Sequence, residues 1–343
     1  MVKSHFDSNK SLSAIFEMKR EQVEQEFSPY FYTYFKSIFE YPKKLQGYSR
    51  MCREIFDVTE AKDRKVLDVG CGFGLISIFL AIFGAREITG VDTSEEKILV
   101  FKKILSRFVP PLDNVEAKVA DAIELDNETY DVIIANEVIS HVRDIDSLVC
   151  RMNRLLRNGG IFYIKDGNNG LNFVQAVQRR RIWKIAEYGP ADERTGPKLP
   201  YCEMRRKMIR EKYPQMDEDT LKVLVKETAG FWGHGLFKAV GEYLEGGRII
   251  EKPSFKFRSP ESGQCLEFAF NPYELKKKLE KFGFRAKIVR FSFGCLAPEI
   301  MRPSFLKTFL FNMGVGFVML FHPISLIIAP GFTIVAEKKA PLK

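Results

Sequence analysis

The sequence predicts an α/β fold with a largely parallel sheet at its core. Short apolar runs alternate with longer segments of helical periodicity, which is the pattern of successive strand–helix–strand units. A glycine-rich turn, GCGFG, directly follows the first of these runs. Several runs end in an acidic or amide residue, where parallel strands present groups to a ligand. The 343 residues are enough for one large domain or two modest ones.

The first predicted strand, Lys65 to Val69, leads through the glycine turn into an apolar helix from Leu75 to Phe83. In this arrangement a ligand approaches the backbone at the N-terminus of the helix. The spacing is G-x-G-x-G, and the Gly-Lys-Ser/Thr ending of a P-loop is missing. Asp68, two residues before the first glycine, would repel a pyrophosphate but suits a ligand with an ammonium group. The turn is therefore not expected to bind NAD.

The next three predicted strands end near polar residues suited to a nucleoside. They are Glu87 to Val91, Val115 to Val119 and Tyr130 to Ala135. Asp92 follows the first of them, about 20 residues beyond the glycine turn, where an acid accepts hydrogen bonds from ribose hydroxyls. Asp121 and Asn136 follow the other two strands.

The remaining core elements lie further along the chain. Leu155 to Lys165 indicates a helix end, a Gly-Gly turn and a fifth strand. Asn271 and Pro272 have the residue types of a helix cap and first turn, which predicts a helix from Pro272 to Phe282. The sixth and last strands are predicted at Arg285 to Phe291 and Gly331 to Ala336.

These elements, in this order, resemble the class I S-adenosylmethionine-dependent methyltransferases over roughly half of the chain. The resemblance implies a Rossmann-like seven-stranded sheet, whose last strand inserts antiparallel between strands five and six. It also implies S-adenosylmethionine as the cofactor. In that family the equivalent of Asp121 pairs with the adenine amino group, and the next residue's backbone helps to fix the ring. The residues expected to bind the cofactor are Asp68, Gly70, Cys71, Gly72, Gly74, Asp92, Thr93, Asp121, Ala122, Asn136 and Glu137.

The chain divides into four predicted regions: a helical N-terminal extension at 1–60, the cofactor core at 61–166, an insertion at 167–270 and the end of the core at 271–343. The extension contains an aromatic stretch at 28–35, which packs on the core or faces the sulfonium through cation–π contact. The insertion is far longer than an ordinary connection. Its helical stretches, Phe173 to Glu187, Tyr201 to Tyr213 and Asp217 to Ala229, predict a mostly helical substrate cap.

An uncharged apolar segment at 309–329 precedes the last strand. Its length suits a membrane span, but the last strand has to return to the sheet a few residues later. An apolar hairpin at about 304–330 satisfies both constraints. It could enter one leaflet, cover a lipid substrate, fill a dimer interface or belong to the core. With a net charge of +9, we favour peripheral contact with an anionic membrane.

Two histidines are candidate general bases for a hydroxyl acceptor. His141 lies in EVISHV, which resembles the E-x-x-x-x-H-V segment of ubiquinone-pathway and related O-methyltransferases; the alternative is a structural residue at a helix start. His234 lies in FWGHG, where the alternative is a tight turn. Asp166, after the fifth strand, either faces the same cleft or caps a helix. Ser140 stands where relatives often carry a second Glu, and no metal site is predicted.

The predicted function is methyl transfer, to an oxygen of an apolar or lipid-linked small molecule. The alternatives are a non-catalytic, membrane-associated scaffold with this fold, and a methyltransferase acting on protein or RNA. We find no RNA-binding module, so nucleic acid is not the favoured partner. The six scattered cysteines indicate reduced thiols and a cytoplasmic location, with the inner face of a membrane as a site of contact. The sequence leaves the oligomeric state open.

Overall fold

The computed structural model describes residues 11–125, 128–142, 144–190, 199–253, 256–261, 268–289, 326–327 and 329–340. The chain divides into two compact units. We call residues 1–169 with 270–343 the core unit and residues 170–269 the insertion unit. The insertion unit begins three residues later and ends one residue earlier than the insertion expected at 167–270.

A seven-stranded sheet forms the centre of the core unit, with strand order β3-β2-β1-β4-β5-β7-β6. The strands are β1 (Lys65–Val69), β2 (Glu87–Asp92), β3 (Val115–Val119), β4 (Tyr130–Asn136), β5 (Leu156–Asp166), β6 (Phe284–Val289) and β7 (Phe332–Lys338). Strands β1 to β5 are parallel, and β7 lies antiparallel between β5 and β6. The predicted Rossmann-like fold is therefore confirmed, including the inserted last strand.

Helices flank this sheet. In the core unit they are α1 (residues 11–16), α2 (Arg20–Glu26), α3 (Pro29–Tyr34), α4 (Lys36–Glu40), α5 (Lys44–Val58), α6 (Leu75–Phe83), α7 (Glu95–Leu105), α8 (Ile145–Leu155) and α13 (Pro272–Lys281). Every residue from Leu75 to Ile82 is buried, as expected for a helix that is apolar on all sides. Asn271 caps α13 as predicted, since its Oδ1 accepts a hydrogen bond from the Tyr273 N–H at 3.0 Å.

The segment before the fifth strand differs from its prediction. Helix α8 ends at Leu155 as expected, but in place of a separate Gly-Gly turn β5 is continuous from Leu156 to Asp166. Leu156 pairs with Tyr130, and the register then shifts before Ile161 pairs with Val132. Gly159 has φ +74, which its missing side chain permits, so the glycines accommodate an irregularity inside the strand.

The N-terminal helices carry the aromatic stretch into the core. Ser28 Oγ accepts a hydrogen bond from the Phe31 N–H at 3.1 Å, and Pro29 occupies the first turn of α3. Phe31 and Phe35 are buried, whereas Tyr30 and Tyr34 are exposed. The stretch thus has two faces, one in the core and one open.

The insertion unit contains four further helices: α9 (Phe173–Tyr188), α10 (Tyr201–Lys212), α11 (Glu218–Glu227) and α12 (Gly233–Gly246). Its small apolar core is formed by Ile209, Leu221, Leu224, Val225, Leu236 and Val240. The sequence FWGHG, considered above as a tight turn, instead leads into α12, which begins at Gly233. His234 therefore belongs to the first turn of a helix.

Most of the apolar segment 309–329 lies outside the described residues. Near its end, the carbonyl oxygens of Leu326 and Ala329 accept hydrogen bonds from Asn169 Nδ2 at 2.6 and 2.9 Å. This part of the segment is therefore tied to the loop after β5. No helix in the described part of the chain is both long and apolar enough to cross a membrane.

Candidate functional site

The glycine turn lies at the carboxyl end of β1, and its three glycines have different surroundings. All three have positive φ: +65 at Gly70, +56 at Gly72 and +78 at Gly74. A Cβ on Gly70 would lie 2.5 Å from Val138, and one on Gly74 would lie 2.2 Å from Phe101. A Cβ on Gly72 would have no heavy atom within 4 Å. Packing thus requires glycine at Gly70 and Gly74, whereas Gly72 offers an open backbone.

Asp92, at the end of the neighbouring strand β2, stabilises this turn through hydrogen bonds to its carboxylate. Its Oδ2 accepts a hydrogen bond from the Gly72 N–H at 3.0 Å, and its Oδ1 accepts one from the Ser94 N–H at 2.9 Å. Lys97 Nζ lies 3.9 Å from the same Oδ2. An ionised carboxylate has about four lone-pair positions. Each oxygen of Asp92 therefore retains capacity for a further donor, such as a ribose hydroxyl.

Asp68 is a buried carboxyl group beneath the turn. Its Oδ2 accepts a hydrogen bond from Ser77 Oγ at 2.7 Å. Burial raises the pKa of Asp68 to about 7; the hydrogen bond from Ser77 opposes that rise, and the nearby charge of Asp92 adds to it. Since a neighbouring cation favours the ionised form, an ammonium group at the turn would draw Asp68 into its charged state.

The other expected cofactor residues as far as β3 lie in the loops that follow β1, β2 and β3, at the same edge of the sheet. Cys71 donates its backbone N–H to the Val91 carbonyl at 2.9 Å. Thr93 is exposed and directly follows Asp92. Asp121 is exposed and accepts a hydrogen bond from the Ile123 N–H at 2.9 Å, whereas Ala122 is buried. Asp121 thus has a fixed orientation and an open side.

The end of β4 carries two unusual features. Asn136 Oδ1 is buried without a hydrogen-bond partner. Glu137 has φ +56, a left-handed conformation that is uncommon for residues other than glycine. Glu137 Oε2 accepts a hydrogen bond from the Gly167 N–H at 2.8 Å, which links the ends of β4 and β5. Unpaired buried acceptors and backbone strain both concentrate at functional sites.

Of the predicted catalytic groups in the core unit, His141 lies exposed at this edge. It ends a short 3-10 turn, Ile139–His141, that follows β4. Asp166 does not face the cleft, because it is fully buried. Its two oxygens accept hydrogen bonds from the backbone N–H groups of Ser140 and Asn168, at 3.0 and 2.9 Å. Asp166 therefore holds the turn that presents His141. His234 is exposed and belongs to the insertion unit.

Aromatic residues of α3 meet the glycine turn at Phe73. The ring of Phe73 makes edge contacts with Tyr30 and Tyr34, with centroids 5.6 and 5.5 Å apart. Phe73 is itself buried. The N-terminal extension therefore covers the turn through ring contacts, with the two tyrosines left exposed at its border.

Tyr48 is a residue that the sequence did not single out. Its ring on α5 lies 6.2 Å from Phe35 and 6.1 Å from Phe79. Burial raises the pKa of Tyr48 well above its ordinary value, and the charges of Asp68 and Glu137 contribute to the rise. A single tyrosine on a mostly polar helix belongs to no motif, so the sequence could not predict the burial of this phenol or its raised pKa.

No cluster of His, Cys, Asp and Glu that could hold a metal ion occurs within the described ranges.

Comparisons with known proteins find similar methyltransferases. Residues 60–193 match the family model of a methyltransferase domain. A ubiquinone biosynthesis O-methyltransferase from Vibrio atlanticus is 30% identical over 131 residues, which are 38% of this chain and 55% of the relative. A ribosomal protein L11 methyltransferase from Acetivibrio thermocellus is 32% identical over 114 residues, 33% of this chain and 35% of the relative.

Among solved structures, an S-adenosylmethionine dependent methyltransferase from Mesorhizobium loti superposes with a TM-score of 0.42 at 13% identity, covering 84% of this chain and 96% of the other. The chain spans about half the length of the ubiquinone-pathway relatives that it matches, 55% for the one from Vibrio atlanticus.

Proposed function

We propose that the chain, whose residues 60–193 match the family model of a methyltransferase domain, transfers a methyl group from S-adenosylmethionine to an oxygen of an apolar or lipid-linked small molecule. One observation carries the proposal. The open backbone at Gly72 lies beside a buried Asp68 and an Asp92 that has spare acceptor capacity. This combination suits a ligand with an ammonium group at one end and ribose hydroxyls at the other.

The cofactor supplies an electrophilic methyl group on a sulfonium, and the chain's own residues supply position and a base. The proposed cofactor residues are those at the ends of β1 to β4, from Asp68 to Glu137. Asp166 orients the turn that ends in His141. His141 is the proposed general base for the acceptor hydroxyl, because an imidazole can accept a proton near neutral pH.

The insertion unit is the proposed substrate cap. Its helix α9 supports peripheral contact with an anionic membrane. Phe173, Val174 and Val177 are 64%, 49% and 65% exposed, and exposed basic residues follow one turn later at Arg180 and Arg181. Exposed apolar residues beside basic ones are typical of helices that lie at a membrane interface. A cytoplasmic protein with this surface would meet a lipid-linked acceptor at the inner face of the membrane.

A transfer assay with tritium-labelled S-adenosylmethionine tests the acceptor class. The acceptors are a catechol with a prenyl tail, the same catechol without the tail, the tailed compound with both hydroxyls replaced by hydrogen, and pooled ribosomal protein and RNA. We expect label in the organic phase with the tailed catechol, less with the untailed one, and none with the compound that lacks hydroxyls. Label in protein or RNA alone would contradict a small-molecule acceptor and favour the ribosomal-protein type of relative.

A flotation assay tests the membrane contact. We expect the chain to float with phosphatidylglycerol vesicles and to remain below with phosphatidylcholine vesicles. The variant Val177→Asp should lose flotation, whereas Lys207→Asp, at an exposed position on α10, should reduce it less. Equal flotation of the chain and Val177→Asp would exclude α9 as the contact.

A further inference from the structure

Arg258 is a buried charge without a counter-charge among the residues that the structure describes. It lies in the insertion unit and is 6% exposed. Its Nε atom is buried and has no hydrogen-bond partner. Within the described part of the chain, no carboxylate forms an ion pair with its guanidinium. A buried guanidinium left unpaired is unfavourable, because it loses its hydration without gaining a partner.

A second buried arginine in the same unit, Arg205, provides a comparison, because its guanidinium is paired within the protein. Arg205 is 1% exposed, and both of its terminal nitrogens contact the carboxylate of Glu187. Its Nε donates to the Val225 carbonyl at 3.0 Å. Arg205 is therefore saturated by the protein. Arg258 is buried to a similar degree but has no such set of partners among the described residues, so its charge inside the unit needs a different explanation.

The neighbours of Arg258 along the chain are fixed by aromatic and backbone contacts. Phe257 stacks on Trp183 of α9, with centroids 5.7 Å and planes 21° apart. Two residues after Arg258, the Pro260 carbonyl accepts a hydrogen bond from the Gly233 N–H at 2.9 Å. Since two residues span at most about 7 Å, the backbone of Arg258 lies close to the start of α12. There Trp232 is half exposed.

We propose that Arg258 binds an oxyanion, a carboxylate or a phosphate, on the ligand of the insertion unit. A guanidinium presents a planar fork that matches either group with two parallel hydrogen bonds. The Phe257–Trp183 stack next to Arg258 in sequence, and Trp232 at the nearby start of α12, favour an oxyanion attached to an apolar or aromatic body. The identification of this ligand as the methyl acceptor rests on the proposed function. The anion site itself does not.

Calorimetric titration of the full chain tests the site with four probes: benzoate, phenyl phosphate, inorganic phosphate and the neutral benzyl alcohol. We expect benzoate or phenyl phosphate to bind, and benzyl alcohol to bind much more weakly. A preference between the first two identifies the oxyanion as carboxylate or phosphate. Inorganic phosphate separates the charge from the contribution of the apolar body.

Three variants accompany the titration. Arg258→Gln should weaken binding of the preferred anion at least tenfold, and Arg258→Lys should retain part of it, because the charge remains while the fork is lost. The matched control Arg248→Gln removes the same charge from an exposed position in the same unit and should bind as the native chain does. Native-like binding by Arg258→Gln would overturn the proposal, and so would the absence of binding by the native chain to every anion at millimolar concentration.

Thermal unfolding separates a ligand site from a structural role. If Arg258 serves a ligand, Arg258→Gln without ligand should unfold at the same temperature as the native chain or higher, and only the native chain should be stabilised by the preferred anion. A lower unfolding temperature for Arg258→Gln, with equal stabilisation of both proteins by the anion, would contradict the site.

Titration with S-adenosylhomocysteine in the same preparations keeps the two proposals distinct. Cofactor binding without anion binding would overturn the role of Arg258 and leave the methyltransferase assignment standing. Anion binding that depends on Arg258, in a chain that binds no cofactor, would support the anion site and overturn the proposed function.

Discussion

The two compact units treat their buried polar groups differently. In the core unit, Asp92 and Asp166 each accept two backbone N–H groups at the carboxyl ends of parallel strands. In the insertion unit, Arg205 is held by Glu187, a partner on another helix, and Arg258 has no protein partner among the described residues. In the core unit the carboxylates are held by backbone N–H groups at the strand ends. In the insertion unit the buried charge of Arg205 is held by a specific side-chain pair.

This difference teaches where recognition resides in the chain. Strand ends present backbone donors in every fold of this class, so a cofactor site can form there with few special residues. An insertion has no such common frame. Its buried charges must be satisfied individually, by a protein partner or by a ligand. We therefore expect mutations in the two units to separate cofactor binding from acceptor recognition.

The largest effect is expected from the buried pair. Arg205→Met leaves the buried carboxylate of Glu187 without a partner and should lower the free energy of unfolding by about 3–5 kcal/mol. Arg258→Met, with a side chain of similar length, removes an unpaired charge and should be neutral or stabilising. Urea unfolding followed by circular dichroism measures both. Equal destabilisation by the two substitutions would contradict the claim that Arg205 is paired within the protein whereas Arg258 is not.

The next effect contrasts two glycines of the turn. Gly74→Ala places a Cβ against Phe101 and keeps φ at +78, so it should cost about 2–4 kcal/mol of stability. Gly72→Ala meets no neighbour and should cost only about 1–2 kcal/mol. The open backbone at Gly72 is nevertheless where the cofactor is proposed to approach, so Gly72→Ala should weaken S-adenosylhomocysteine binding at least tenfold. Unchanged affinity in Gly72→Ala would remove that position from the site.

Ionisation of Asp68 gives an effect on stability that changes gradually with pH. Its pKa in the folded chain is about 7, above the value of about 3.9 in an unfolded chain. The folded chain therefore holds an extra proton between these two values. The contribution of Asp68 to stability is greatest below about pH 4 and is lost as the pH rises to 7, at up to about 1.4 kcal/mol per pH unit.

Asp68→Asn should remove this slope, which urea unfolding between pH 4 and 8 can measure. The same variant separates stability from binding. In the native chain, affinity for S-adenosylhomocysteine should rise as Asp68 ionises between pH 6 and 8, because the ammonium group of the ligand interacts favourably with the ionised carboxylate. Identical pH profiles for the native chain and Asp68→Asn would show that the Asp68 carboxyl group governs neither property.

The smallest effect concerns the aromatic cover of the turn. Tyr34→Ala removes the edge contact with Phe73 and should cost about 0.5–1.5 kcal/mol. Tyr34→Phe keeps the ring contact with Phe73 and should cost less stability than Tyr34→Ala. Thermal unfolding of both variants distinguishes them. A loss in Tyr34→Phe equal to that in Tyr34→Ala would assign the effect to the hydroxyl rather than to the ring contact.

Much of the core unit could be predicted from the sequence, because its signals are local. The bounds of β1 agree at both ends, and the position of β7 between β5 and β6 follows from the resemblance of the whole element order. The register shift inside β5 could not be predicted, because a Gly-Gly pair is equally typical of a turn. The role of Asp166 could not be decided from the sequence either, because whether a carboxylate at a strand end is buried depends on the residues that pack around it.

The insertion unit was less accessible to prediction. Its first three helices have amphipathic or capped sequences, and their positions were close to those observed. The start of α12 was missed because glycines on both sides of His234 favour a turn locally, whereas the helix is stabilised by apolar packing of Leu236 and Val240. Arg258 carries no motif at all. Its significance follows from burial without a partner, which only the structure reveals.

The measurement that tests the central claim most directly is calorimetric titration with S-adenosylhomocysteine of the native chain, Asp92→Ala and Glu96→Ala. Glu96 is an exposed acid in the first turn of α7, four residues from Asp92, and serves as the matched control. We predict micromolar binding by the native chain and Glu96→Ala, and a loss of at least tenfold in a folded Asp92→Ala. Equal binding by all three would contradict the cofactor site at the end of β2.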